Sequence, residues 1–210
     1  MLNLSKLGLM GLIVFGLSAC DDTTGPGGGG EMQISAVGDA SSAPGGSSSS
    51  ESTASGGESS STAGSAEGTV EFRARVFVRT TAGEWVEVTR RGAESASVQA
   101  SGTGQAALVT SARVAAGSYN RVRVRFEEVN ANVTSFRIGV GTLLTGSFHV
   151  QSEGGHAGTV ERDGSFEIRG GSSSRLLIDL NSGAWLSRAN TQTRAVSRAD
   201  FETAVRLRVE

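Results

Sequence analysis

Residues 69 to 80 read TVEFRARVFVRT. Val70, Phe72, Ala74, Val76 and Val78 take alternate positions, with Glu71, Arg73, Arg75, Phe77 and Arg79 between them. Successive side chains of a strand point to opposite faces, so this period of two predicts a strand with one buried face. Thr81, Ala82 and Gly83 then make a turn, and EWVEVT returns with Val86 and Val88 inward, which predicts a hairpin. The same period runs through YNRVRVRFEEV, residues 119 to 129, with Val122, Val124 and Phe126 inward. It recurs in GTVERDGSFEI, residues 158 to 168, where Asp163-Gly164 between alternating arms predicts a second hairpin. QAALVTSARV and SRLLIDL read as further strands, and ETAVRLRVE closes the chain with Val205, Leu207 and Val209 inward. Helical period is confined to Ser182 to Arg188 and Ala199 to Thr203, a turn or two each. Roughly eight or nine short strands joined by short turns predict an all-β fold, an antiparallel β-sandwich.

Upstream the composition changes. Leu7 to Ala19 is a run of uncharged, mostly apolar residues after Lys6. It is shorter than the roughly 20 residues that a membrane-crossing helix needs. It fits the apolar region of a secretory signal, assigned to residues 1–19. Leu17, Ser18, Ala19 and Cys20 follow, and Cys20 is the only cysteine of the chain. These four residues resemble the lipobox of bacterial lipoproteins. That resemblance implies a diacylglyceryl group on the Cys20 thiol, cleavage before it, and usually acylation of the new amino terminus. Two or three acyl chains anchor a protein stably where one is marginal. With the thiol committed to lipid, no disulfide, thiol nucleophile or cysteine metal site is expected. Asp21 resembles the inner-membrane retention signal of enteric bacteria; the choice of membrane is left open. The expected location is the bacterial cell envelope, with the folded part on the periplasmic or cell-surface side.

Residues 21 to 68 contain 13 Ser, 12 Gly, both prolines (Pro26 and Pro44), seven acidic residues and no basic one. Such a composition predicts a disordered tether over residues 20–68. Met32, Ile34 and Val37 form a weak apolar patch that the same composition argues against pairing as an edge strand. The folded domain is assigned to residues 69–210. It carries all 18 arginines against 14 acidic residues, a charge of 18 − 14 = +4, beside a tether of −7.

Two further segments carry a resemblance. VAAGSYNRVRVRF, residues 114 to 126, is similar to a segment of uncharacterised bacterial lipoprotein domains in which a glycine-tyrosine turn leads into an arginine-valine strand. SRLLIDLNSGAWL and the closing VRLRV resemble the last strands of those domains, although the proline usual near the final strand is missing. The resemblance implies an immunoglobulin-like or transthyretin-like sandwich in a lipoprotein and transfers no catalytic residue.

The arginines form the leading candidate site. Arg121, Arg123 and Arg125 share one face of a strand, Arg73, Arg75 and Arg79 that of another, and Arg206 and Arg208 that of a third. Were the strands neighbours, eight guanidinium groups would line one face. A guanidinium binds phosphate or carboxylate as a two-pronged fork, so the face suits an anionic envelope component. The competing reading is a solvated face of cross-strand pairs with Glu71, Glu87, Glu127 and Glu210. Nucleic acid is not an expected partner of an exported, anchored chain.

The remaining candidates are weaker. His149 and His156 flank QSEGG, with Glu153, Glu161 and Asp163 near, but two histidines of unknown geometry do not define a metal site. Asp179 and Asn181 suit a strand end with an Asx turn better than a calcium loop. Trp85 and Trp185 are candidate exposed aromatics for glycan stacking, and Tyr119 is expected to pack at a corner. The chain has no G-x-S-x-G, no H-E-x-x-H, no phosphate loop and no spare thiol. The reading is a non-catalytic binding or adaptor module without a cofactor. The alternative is a structural component that meets a partner protein through an apolar patch or strand edge. A hydrolytic enzyme is the remote third.

Overall fold

The structure, a computed structural model, describes residues 28–39, 66–89, 92–101, 105–138 and 142–210. The signal segment, the lipobox with Cys20 and most of the expected tether lie outside the described residues. The chain is all-β, with eleven strands and two short helices among the described residues.

The hairpin stretch occupies β2 (Ala66–Thr80) and β3 (Trp85–Glu87). β2 also pairs with β4 (Glu94–Ser101) on that edge and, along its whole length, with the 22-residue β6 (Gly117–Ile138) on the other. The far edge of β6 is shared by β7 (Thr142–Val150) over its second half and β8 (Gly158–Ile168) over its first. A second group of strands centres on β1 (Gly30–Asp39), which lies between β5 (Ala107–Val114) and β9 (Ser173–Asp179). β11 (Arg206–Val209) extends this group beyond β9. The two groups join where Gly38 and Asp39 of β1 pair with Ala100 and Ser101 of β4. The resulting sheet curls until β11 approaches β8, where the Arg162 side chain donates to the Leu207 carbonyl.

Three bulges drive the curl. Against β2, residues Asn120, Glu127 and Thr134 of β6 are each an extra residue, as the register shifts show. A bulge bends its strand and steepens the local twist. Each also reverses which positions face inward. The buried residues of β6 are therefore Tyr119, then Val122, Val124 and Phe126, then Val129, Ala131 and Val133, then Phe136.

The concave side is filled by these residues, by Val70, Phe72, Val76 and Val78 of β2, and by Leu176 and Ile178 of β9. α1 (Ser182–Leu186) and α2 (Arg198–Ala204) plug its open end between β9 and β11. Phe126 meets Phe72 and Phe201 edge-on at 5.7 and 5.0 Å, and Phe201 meets Trp185 at 5.8 Å. Each such side chain contributes roughly 1.5–3 kcal/mol by leaving water.

Several expectations are corrected. The sheet is not antiparallel throughout: β1 runs parallel to β9 and β4, and β10 (Ala195–Val196) parallel to β7. Residues 30–39 are not tether but a central strand with Met32, Ile34 and Ala36 fully buried. The glycines there allow close approach. A Cβ on Gly30 would stand 2.6 Å from the Arg169 carbonyl oxygen, and one on Gly38 2.6 Å from that of Gln99. Asp163-Gly164 makes no hairpin. It lies inside the continuous strand β8, where β8 carries one extra residue opposite Asn120. A glycine within a strand pattern serves a bulge as readily as a turn. Val86, expected inward, is 36% exposed at the sheet edge, whereas Val88 is buried.

Candidate functional site

The convex face of β3, β2, β6 and β8 gathers most of the arginines. One cross-strand rung holds Trp85, Arg79, Arg121 and Asp163. The next holds Glu87, Phe77, Arg123 and Glu161, and the third Arg75, Arg125 and Thr159. Arg73 lies one step further along β2, beside the Glu127 bulge. Six of the eight predicted arginines thus share a face. Arg206 and Arg208 do not line up with them: β11 pairs with β9 and is separated from the arginine strands β2 and β6 by β8.

Four carboxylates thread this field. The Arg121 guanidinium donates through Nε to Asp163 and through Nη1 to Glu161 Oε2 at 3.2 Å. The Asp163 hydrogen bond, more than any other cause, raises the Arg121 pKa above its ordinary value. Arg123 Nε donates to Glu161 Oε1 at 2.6 Å, and its guanidinium carbon stands 4.0 Å from the Trp85 ring centroid. Arg75 Nε donates to Glu127 Oε1 at 2.8 Å, with Glu87 3.8 Å from its Nη1. Arg73 is 3.6 Å from Glu127. Glu87 and Glu127 were expected partners. Glu161 and Asp163 were not, because reading Asp163-Gly164 as a turn removed both from the neighbourhood of β6.

Two arginines are left apart from the carboxylates. Arg79 Nε donates to the Gly83 carbonyl at 3.1 Å. Arg125 is exposed and, among the described residues, has no carboxylate partner. The register sets Arg75 directly against Arg125, and Arg79 directly against Arg121. Like charges directly opposite across a sheet oppose its stability. An open groove of about 410 Å³ adjoins the field at Arg73, lined also by Glu71, Ser95, Ser97, Glu128 and Asn130.

The other candidates are dispersed. His149 is exposed on β7, and His156 lies in the Gln151–Ala157 excursion, bridged to Glu153 through the backbone. Among the described residues no three metal-ligating side chains converge. Asn181 N–H donates to Asp179 Oδ1 at 3.0 Å, an Asx turn leading into α1. Trp185, expected to be exposed, is 0% exposed, and its indole N–H donates to the Leu180 carbonyl at 3.0 Å. Tyr119 is buried, stacks on Phe166 at 5.5 Å and donates its hydroxyl to the Ala115 carbonyl at 2.8 Å. Burial raises the Tyr119 pKa.

No family model matches the chain, and no curated protein or solved structure matches it.

Proposed function

We propose that this chain is a lipid-anchored protein of the bacterial envelope whose β domain binds an anionic envelope component, without catalysis, through the convex arginine face. The anchor rests on the lipobox Leu17 to Cys20 behind its apolar run. The binding role rests on one observation above all: Arg75 faces Arg125, and Arg79 faces Arg121, in register across β2 and β6. A purely solvated face gains nothing from two like-charged pairs, whereas a phosphate- or carboxylate-bearing ligand bridges them by forked hydrogen bonds. Phe77 on the middle rung adds half-buried apolar surface, and Trp85 stacks against Arg123 and helps to fix that guanidinium.

A second reading has its own observation. Leu108 on β5 is 63% exposed and Leu143 on β7 56% exposed, so a partner protein has apolar surface to meet. Capture from solubilised envelope by the mature chain, at low and high salt, separates the two readings. The arginine reading expects a ligand held at low salt, released at high salt, and lost when Arg79, Arg121 and Arg125 are changed to serine. A ligand held equally by both chains at both salts overturns it in favour of the apolar surface.

A further inference from the structure

We infer that, once lipidated, the domain stands on the bilayer by one defined pole, with the opposite pole held clear of the membrane. This rests on the lipid anchor at Cys20 proposed above. Composition suggested a 48-residue tether between lipid and fold. The structure shortens it: described residues begin at Gly28, and strand β1 begins at Gly30. Eight residue steps separate Cys20 from Gly28. Whatever conformation they take, they cannot exceed about 26–29 Å.

The entry point identifies the near pole. The Gly29 carbonyl accepts from the Gly171 N–H at 3.4 Å, and Glu31 N–H donates to the Ser172 carbonyl at 2.9 Å. Gly30 pairs with Val114, just before the β5–β6 turn. Thr81 N–H, in the β2–β3 turn, donates to the Ser118 carbonyl at 3.2 Å. The turns Thr81 to Glu84, Ala115 to Gly117 and Arg169 to Ser172 therefore cluster around the point where the chain enters. Their tips carry Ala82, Ala115, Ala116, Gly170 and Gly171, which offer no bulky apolar group for insertion. The exposed Arg169 donates to Glu167 at 3.2 Å, so the pole presents an ion pair to the headgroups. The pole fits apposition to a lipid surface, not penetration.

The far pole lies at the other end of β2, near Ala66, with Asp39, Gln105 and Leu143. From Thr80 to Ala66 the strand covers fourteen steps, roughly 40 Å or more at about 3.3 Å per residue. The leash is shorter than that span, so the domain cannot stand inverted on its far pole, and of the two upright orientations only the one with the near pole down is open to it. Leu143 and the strand ends at residues 39 and 66 lie on the side turned away from the lipid.

The test uses the full chain, exported and lipidated, in vesicles of neutral and anionic phospholipid. The native thiol is consumed by lipid, so one engineered cysteine at a time takes a fluorophore: Ala82→Cys at the near pole, Gln105→Cys and Leu143→Cys at the far one. Nitroxide-headgroup lipid serves as a short-range quencher. The expected result is strong quenching at position 82 and none at 105 or 143, with the contrast lost when a long Gly-Ser spacer is inserted after Gly27. Equal quenching at both poles, or stronger quenching at 143, overturns the orientation while leaving the anchor intact. Mass spectrometry of the amino terminus reads the anchor itself, and a mature chain without diacylglyceryl on Cys20 overturns both.

Discussion

Arg125 has an unusual position for a surface arginine: its cross-strand neighbour is Arg75, and the carboxylates of the face serve other guanidinium groups. If the pair is kept for a ligand, then relieving it should improve the fold and harm binding. Arg125→Glu converts a repulsive rung into an attractive one, and such pairs are worth roughly 0.2–1 kcal/mol. The expected outcome is a small rise in thermal midpoint together with weaker retention on a phosphate-bearing matrix. A fall in midpoint with unchanged retention would assign the residue to packing instead. Trp185 shows the opposite case, an aromatic whose role is internal. Its ring meets Phe201 and its N–H is satisfied by Leu180. Trp185→Ala should cost about 3–5 kcal/mol, measured by denaturant unfolding, and leave any arginine-face binding unchanged in the fraction that remains folded. The alternation of EWVEVT sets Trp85 opposite Val86, but nothing in the residues around Trp185 places its ring inside. Trp85 lies on a short edge strand and Trp185 in a helix that plugs the core, a distinction made only by tertiary contacts.

At the scale of elements, the alternation that decides the fold was legible wherever a strand kept one parity. Val70 to Val78 on β2 and Val122 to Phe126 on β6 face the core as their spacing implies. It was not legible past Phe126, because Glu127 is an extra residue that moves the inward set from even to odd positions. A one-residue shift sends every following side chain to the other face. Deleting Glu127 should therefore turn Val129, Ala131 and Val133 to solvent or force β6 out of register with β2. The expected result is loss of cooperative unfolding in near-ultraviolet circular dichroism, whereas Glu127→Gln, which keeps the bulge, should retain it. Helix α2 shows a finer device. Ser197 Oγ accepts from the Asp200 N–H at 3.1 Å and donates to Asp200 Oδ2 at 2.5 Å, and Arg188 lies 3.0 Å from the same carboxylate. The Ser197 hydrogen bond, followed by Arg188, holds the Asp200 pKa below its ordinary value. A depressed carboxylate pKa stabilises the fold above the unfolded value, and that contribution is lost as pH falls through the folded value. Because about a third of the Asp200 side chain is exposed, solvent screens the interaction and the effect is small. It should be visible as an acid-side loss of stability, below the usual carboxylate range, that Asp200→Asn flattens.

For the whole molecule, the decisive correction is the place of β1. Counting serine and glycine over residues 21 to 68 averaged a ten-residue strand into its surroundings. The strand's apolar alternation, Met32, Ile34 and Ala36, is only three residues long. Its hydrogen-bond partners are β5 and β9, far along the chain, so the short apolar patch at Met32, Ile34 and Val37 is outweighed locally by the composition around it. Yet it joins the two strand groups, through β9 and β5 on one side and β4 at its end. A chain beginning at Thr69 would leave the facing edges of β5 and β9 unpaired and the core beneath them open. Removing a single large buried side chain of this kind typically costs 2–5 kcal/mol, against a total stability of about 5–15 kcal/mol for a domain. Losing Met32 and Ile34 together with two strand pairings should remove most of that total. Residues 69–210 alone are therefore expected to show no cooperative thermal transition, while residues 28–210 unfold in one step. Because β1 is held by pairing with β5 and β9, both of which the truncated chain keeps, a separate peptide of residues 28–39 should bind that chain and restore the transition. A cooperative transition in the truncated chain without that peptide would mean that β5 and β9 close on each other, and that β1 is an addition to the domain instead of its seam.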